Sequence, residues 1–237
     1  MTKQIIAITG ASSGLGAALA KQYLKQDAHV CLLGRSNTTL EKVVENTVGS
    51  YSIHSLDITT KTDVANVFQE IENEYGSIDM LINNAGVGYF GLAEDLQEEE
   101  ISTMLDVNVK GTIYCTQAVL PKMKTRNKGT IVSVVSTAGL QGKANESGYV
   151  ASKFAVRGFT ESLQAELADT MIRVSGIYMG GMDTPFWDGI FNEEKRKTLM
   201  RPDDIAEIII HNLEERSNLS VDEIVIRNKK PKSKQTI

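Results

Sequence analysis

Tyr149 and Lys153 stand four positions apart in Tyr149-Val150-Ala151-Ser152-Lys153, a spacing that places a phenol and an ammonium on one helix face. A free tyrosine, with a pKa of about 10, is too weak an acid to exchange protons readily near neutrality. A cation about 4 Å away, at an effective dielectric near 20, contributes roughly 4 kcal/mol toward ionisation. Before any cost of burying the phenolate, that is enough to draw a tyrosine down toward its working range. Tyr149 is therefore a candidate acid/base and Lys153 its activator. Tyr-x-x-x-Lys recurs in many helices by chance, so the pair gains weight only from what accompanies it.

What accompanies it is a glycine-rich turn, Thr9-Gly10-Ala11-Ser12-Ser13-Gly14-Leu15-Gly16, directly after an apolar β-type run. Glycines here let the chain turn tightly and let backbone N–H groups approach a pyrophosphate at a helix N-terminus. The spacing is neither G-x-G-x-x-G nor that of a P-loop, and no Gly-Lys-Ser/Thr follows for nucleoside triphosphate chemistry. After the second apolar run comes Gly34-Arg35-Ser36. An acidic residue there would bond the ribose 2′-hydroxyl and select NAD, whereas the Arg35 guanidinium suits the 2′-phosphate of NADP. The alternative for Arg35 is a solvated surface arginine. Asp57 either accepts a bond from an adenine amino group or caps its own turn.

The elements that must hold these residues alternate in type. Strand-like runs fall at Gln4–Thr9, His29–Leu33, Tyr51–Ser55, Met80–Asn83, Thr130–Val135, Ile172–Tyr178 and Glu223–Ile226. Between them lie helical segments: Leu15–Lys25, a stretch around Thr39–Thr47, and one with Val64, Val67, Phe68, Ile71 and Tyr75 on one face. Further helices are expected over Ile101–Met123 with a break near Pro121, over Tyr149–Leu167, and after Pro202. The pattern predicts an α/β fold, a single-domain Rossmann-type doubly wound parallel sheet of about seven strands. Residues 1–228 would form the domain and 229–237 a basic tail. The least regular stretch, 180–199, lies where ligands bind in such sheets and reads as a substrate lid. Its Phe186, Trp187, Ile190 and Phe191 would either line a partly apolar pocket or pack on the domain. Lys143 and Asn145 would meet a polar substrate end or only water.

Taken together, Thr9–Gly16, Asn83-Asn84-Ala85-Gly86, Asn108, Ser136 and Tyr149-x-x-x-Lys153 resemble the short-chain dehydrogenase/reductase family, in its shorter single-domain branch. The resemblance runs from about residue 4 to 210. It implies hydride transfer between NADP(H) and a carbonyl or alcohol, with Tyr149 exchanging the proton with the substrate oxygen. Lys153 would lower the phenol's pKa and hold the nicotinamide ribose, Ser136 would bond the substrate oxygen, and Asn108 would hold a water linking Lys153 to solvent. Gly10, Ser12, Ser13, Gly14, Leu15, Gly16, Arg35, Asp57, Asn84, Ala85 and Gly86 would contact the cofactor, with Tyr149, Lys153 and Thr184 at its nicotinamide end. The family's usual Pro-Gly after the sixth strand is here Met179-Gly180, which leaves φ at residue 179 without a proline's constraint. The resemblance further implies a homodimer or homotetramer built on helices near Leu105–Met123 and Tyr149–Leu167. A dinucleotide-binding redox sensor would use the glycine turn and Arg35, yet would have no need of Ser136, Tyr149 and Lys153 together.

Composition bounds the partners. A formal net charge of −5 over 237 residues argues against a protein that grips nucleic acid. No run approaches the ~20 apolar residues of a membrane helix, and no signal-peptide pattern opens the chain. Cys31 and Cys115 sit in apolar segments without metal-ligand or disulfide spacing. No metal is expected, and a reducing cytoplasmic location is.

Overall fold

The computed structural model describes residues 3–216 and 219–229. The basic tail, beyond Lys229, therefore lies outside the described residues. Strands β1 (Gln4–Thr9), β2 (Ala28–Gly34), β3 (Ser50–Ser55), β4 (Met80–Asn83), β5 (Gly129–Val134), β6 (Ile172–Met179) and β7 (Glu223–Ile226) form one sheet in the order β3-β2-β1-β4-β5-β6-β7. Every pairing is parallel. The helices are α1 (Gly14–Tyr23), α2 (Asn37–Val44), α3 (Lys61–Tyr75), α4 (Glu98–Met104), α5 (Thr112–Arg126), α6 (Ser147–Glu166), α7 (Glu193–Arg196) and α8 (Pro202–Leu213).

Strands covered on both faces read as continuous apolar runs, which is why β1 is buried from Ile5 onward. Their alternate residues feed two cores. Ile6, Ile8, Val30 and Leu32 pack with Leu15 and Leu19 of α1 and Ile205 and Ile209 of α8. Ala7, Cys31, Leu33 and Leu81 pack with Phe68 and Ile71 of α3, Val119 of α5 and Leu163 of α6. Strand order reverses between β1 and β4, so the turns following these two strands lie side by side at a topological switch point.

Two helical expectations are corrected. The segment expected as one helix from Ile101 divides into α4, a π-helical turn over Leu105–Gly111, and α5. Pro121 also breaks nothing: α5 runs through it to Arg126 and ends at Asn127, whose φ of 48° is left-handed. Pro121 and Gln117 face solvent, so the carbonyl that loses its N–H partner is met by water. Met179 is held by sheet pairing in place of a proline ring. It is buried in β6 opposite Ile226, and the Gly180 N–H donates to the Ile226 carbonyl at 3.0 Å. Among the described residues, no helix is long and apolar enough to cross a membrane.

Candidate active site

The turn after β1 closes tightly because its glycines carry no side chain. Gly10 has φ +63°, and a Cβ there would stand 2.8 Å from the Ala85 Cα. A Cβ on Gly16 would collide with the Gly10 carbonyl oxygen. Thr9, which was not among the expected site residues, stitches this turn to the one after β4. Its buried hydroxyl accepts from the N–H groups of Asn84 at 3.0 Å and Ala85 at 3.1 Å. The Asn84 amide donates back to the carbonyls of Thr9 at 2.9 Å and Gly10 at 3.2 Å. Its only sequence signal was its place immediately before Gly10.

Ser13 caps α1 without a side-chain hydrogen bond, which leaves the first-turn N–H groups free to meet an anion. They open onto a cleft of about 660 Å³ that begins at Arg35 and Asp57 and ends at Ser136, Tyr149 and Lys153. Ser12, Ser13, Gly14, Leu15, Asn84, Ala85, Gly86 and Thr184 line it as well. Thr184 is buried, and its methyl carbon lies 3.1 Å from where a Gly14 Cβ would be, so the chain after β6 closes against the glycine turn. Such a cradle fits a dinucleotide: a pyrophosphate at the α1 N-terminus and a 2′-phosphate near Arg35. The Asp57 carboxylate accepts from the Thr59 N–H at 3.0 Å and hydroxyl at 2.8 Å, so the turn-capping alternative is realised. Those bonds, and more weakly Arg35, hold the carboxyl below its usual range.

Gly16 and Asn108 are not in the cleft wall; they stand behind it. Asn108 is buried in the π-helical turn. Its oxygen accepts from the Val87 N–H at 2.8 Å, and its amide donates to the Val87 carbonyl and to the Ser152 Oγ, both at 2.9 Å. With its side chain so engaged, Asn108 braces the Gly86–Val87 backbone beside Lys153. Its carbonyl accepts from the Thr112 hydroxyl at 2.8 Å.

Ser136 follows β5 with φ +119°, a strained conformation for a residue with a side chain. Its hydroxyl accepts from the Ala138 N–H at 3.1 Å. Tyr149 and Lys153 project from the first turns of α6 into the same end of the cleft, with Lys153 Nζ donating to the Val134 carbonyl at 3.2 Å.

Their electrostatics differ from what spacing suggests. Burial pushes the Tyr149 phenol up to about 12, against the pull of the Ser136 hydroxyl, and Glu146 pushes the same way as burial. Burial lowers Lys153 to about 8. In the chain alone burial thus outweighs the Ser136 hydrogen bond, and Tyr149 remains a neutral proton donor across the physiological range.

A further set of side chains comes from segments remote in sequence. Phe90, after β4, meets Tyr149 with ring centroids 5.4 Å apart. Phe186, after β6, does so at 5.9 Å. Phe90 gave no periodic or motif signal, and only the fold brings it to Tyr149. Near this end Lys143 lines the cleft, while the Asn145 backbone carbonyl accepts from the Gly91 N–H at 2.9 Å.

A family model described as short chain dehydrogenase matches residues 4–195. An uncharacterized oxidoreductase of Staphylococcus saprophyticus is 35% identical over 228 residues, covering 94% of this chain and 97% of that protein. One of Staphylococcus epidermidis is 32% identical over 225 residues, covering 95% and 97%. Among solved structures, an alcohol dehydrogenase from the archaeon Thermococcus sibiricus complexed with 5-hydroxy-NADP superposes with a TM-score of 0.88 at 28% identity, over 98% of this chain and 100% of that one. A closed form of serine dehydrogenase complexed with NADP+ gives 0.85 at 30% identity, over 93% and 94%.

Proposed function

Because the chain belongs to the short-chain dehydrogenase/reductase family of oxidoreductases, we propose that it interconverts a small-molecule ketone or aldehyde with its alcohol, using NADP(H). The observation that carries this reading is one continuous cleft joining an uncapped helix N-terminus and Arg35 to Ser136, Tyr149 and Lys153. The 5-hydroxy-NADP and NADP+ bound in two of the structural neighbours support the cofactor choice.

The turn from Gly10 to Gly16 and the Asn84–Gly86 backbone hold the pyrophosphate and adenosine side, with Arg35 on the 2′-phosphate. Asp57 keeps one carboxylate oxygen for the adenine amino group. Bound NADPH supplies a hydride. Ser136 orients the carbonyl oxygen, and Tyr149 donates its hydroxyl proton to that oxygen as the carbon is reduced. Lys153 offsets the charge that develops on the phenol and holds the ribose hydroxyls. Asn108 keeps the Gly86–Val87 backbone against Lys153 and offers its carbonyl to a water on the proton's route to solvent. Thr184 meets the carboxamide, and residues 180–199 close over the substrate.

Residues 1–228 act as one catalytic domain in the cytoplasm, without nucleic acid. Self-association uses the helices around α5 and α6, where Leu105 and Phe154 are apolar and exposed.

Following NADPH and NADH oxidation with a panel of ketones and aldehydes tests the proposal. A charge-assisted pairing to the 2′-phosphate is worth about 1.5–3 kcal/mol, so Arg35→Ala should raise the KM for NADPH by roughly 10- to 100-fold and leave that for NADH nearly unchanged. Equal losses for the two cofactors would show that Arg35 does not read the phosphate.

A further inference from the structure

At the Tyr149 end the cleft is lined by the rings of Phe186 and Trp187, and Phe90, outside the lining, packs against both. Phe90 stacks on Trp187 with centroids 5.3 Å apart and planes 22° from parallel. Phe186 meets Trp187 edge-on, at 5.0 Å and 80°. Both phenylalanines also tilt against the Tyr149 ring, at 60° for Phe90 and 53° for Phe186. Behind Trp187 stands Phe191, stacked at 4.4 Å and 12°. Gly88 is what lets the rings converge: a Cβ there would lie 2.8 Å from the Cζ atoms of Phe90 and Phe186 and 3.1 Å from the Tyr149 Cδ2. Phe186 and Trp187 are only half-buried, so part of each ring remains open to the cleft.

Charge at the same end is already matched. Lys143 lies 3.6 Å from the Glu146 carboxylate. Arg196, from the chain that carries Trp187, spans the carboxylates of Asp183 at 2.8 Å and Asp188 at 2.7 Å. Lys153 serves Tyr149, and Arg35 stands at the far end of the cleft. Of the described cationic residues lining this end, Lys143 already faces a carboxylate and Lys153 is engaged by the Val134 carbonyl and by the reaction, so no cation is set apart for a carboxylate or phosphate on the substrate.

We infer that the substrate is an uncharged carbonyl compound whose carbonyl carbon bears a flat aromatic ring, an aryl ketone or aryl aldehyde. This rests on the oxidoreductase reading above. A substrate ring entering here exchanges one ring–ring contact for another and can adopt the tilted or edge-on geometries that the wall already uses. A saturated ring of the same size buries similar area but lacks the quadrupole that favours these geometries. In the reaction the carbonyl carbon gains a hydride from NADPH and the oxygen takes the Tyr149 proton, which solvent then restores, so a ketone, NADPH and one proton become a secondary alcohol and NADP+, and an aldehyde gives a primary alcohol.

Acetophenone and cyclohexyl methyl ketone, which have equal carbon counts, separate ring character from size, and acetoacetate adds a carboxylate. Conjugation makes acetophenone the less electrophilic of the two neutral ketones, so a preference for it must come from the protein. With NADPH, kcat/KM for acetophenone should exceed that for cyclohexyl methyl ketone by about tenfold, with acetoacetate the poorest. Phe186→Leu and Trp187→Leu should each shrink that ratio severalfold, by lowering kcat/KM for acetophenone more than for cyclohexyl methyl ketone. Calorimetric titration of the three ketones into the NADP+-saturated protein should give the same ranking. Equal or better use of cyclohexyl methyl ketone, or acetoacetate as the best substrate, overturns the inference. Tighter acetophenone binding without turnover of any ketone would uphold the ring site and contradict the reductase reading instead.

Discussion

The Lys153 Nζ lies 5.7 Å from the centroid of the Tyr149 ring, with both side chains buried. Lys153 therefore keeps its charge less readily than a solvated lysine, at about 8. Reduction should hold a plateau below that pH and decline above it as the ammonium is lost, because Tyr149 stays protonated throughout. The pH profile of kcat/KM with saturating NADPH checks this; a profile flat to pH 10 would contradict it.

The same burial has a stability consequence. Between about 8 and the unfolded value of 10.5, unfolded Lys153 holds a proton that the folded chain has lost. The Lys153 contribution to stability therefore rises with pH across that window, and below it the buried charge is a cost. Lys153→Met should stabilise the protein at pH 7 by about 1–3 kcal/mol and lose that advantage above pH 10.5, while abolishing turnover. Denaturant titrations at the two pH values measure the difference.

Ser136 carries a φ of +119°, which only glycine adopts freely. Ser136→Gly and Ser136→Ala should both cut kcat severely, since each removes the hydroxyl. They should differ in stability, the glycine variant exceeding the alanine variant by about 1 kcal/mol because it relieves the strain. Thermal unfolding of the pair decides the matter, and equal melting points would argue against strain at this position.

Gly16 sits where any Cβ meets the Gly10 carbonyl oxygen. Gly16→Ala must shift backbone, so it should cost about 1–3 kcal/mol in stability and weaken NADPH binding. Calorimetric titration with NADPH reads the second effect, and an unchanged affinity would mean that the turn does not form the phosphate cradle.

Much of this architecture was legible because local patterns and fold agree. Alternating apolar runs and helical faces gave all seven strands to within a few residues, and the turn after β1 declared itself through Gly10, Gly14 and Gly16. Tyr149 and Lys153 were found by spacing, and spacing does put them at one end of the cleft. What spacing could not convey was dielectric. The Coulomb argument for Lys153 drawing down Tyr149 omitted a burial cost that only the packed α6 reveals. Pro121 misled for the same reason, since whether its missing N–H matters depends on which face meets water. Nor does the sequence indicate that Phe90 lies against Trp187, or that Asn108 spends its side chain on Val87 and Ser152; these are tertiary relationships.

The central claim is that the Tyr149 hydroxyl delivers the proton. Tyr149→Phe removes that hydroxyl and keeps the ring that packs on Phe90 and Phe186. The most direct measurement is carbonyl reduction by this variant, with NADPH binding titrated alongside. General acid catalysis contributes about 10²–10⁴-fold, so turnover should fall by at least that much while NADPH affinity stays within a few-fold of the parent protein. Turnover at the parent rate would contradict the account.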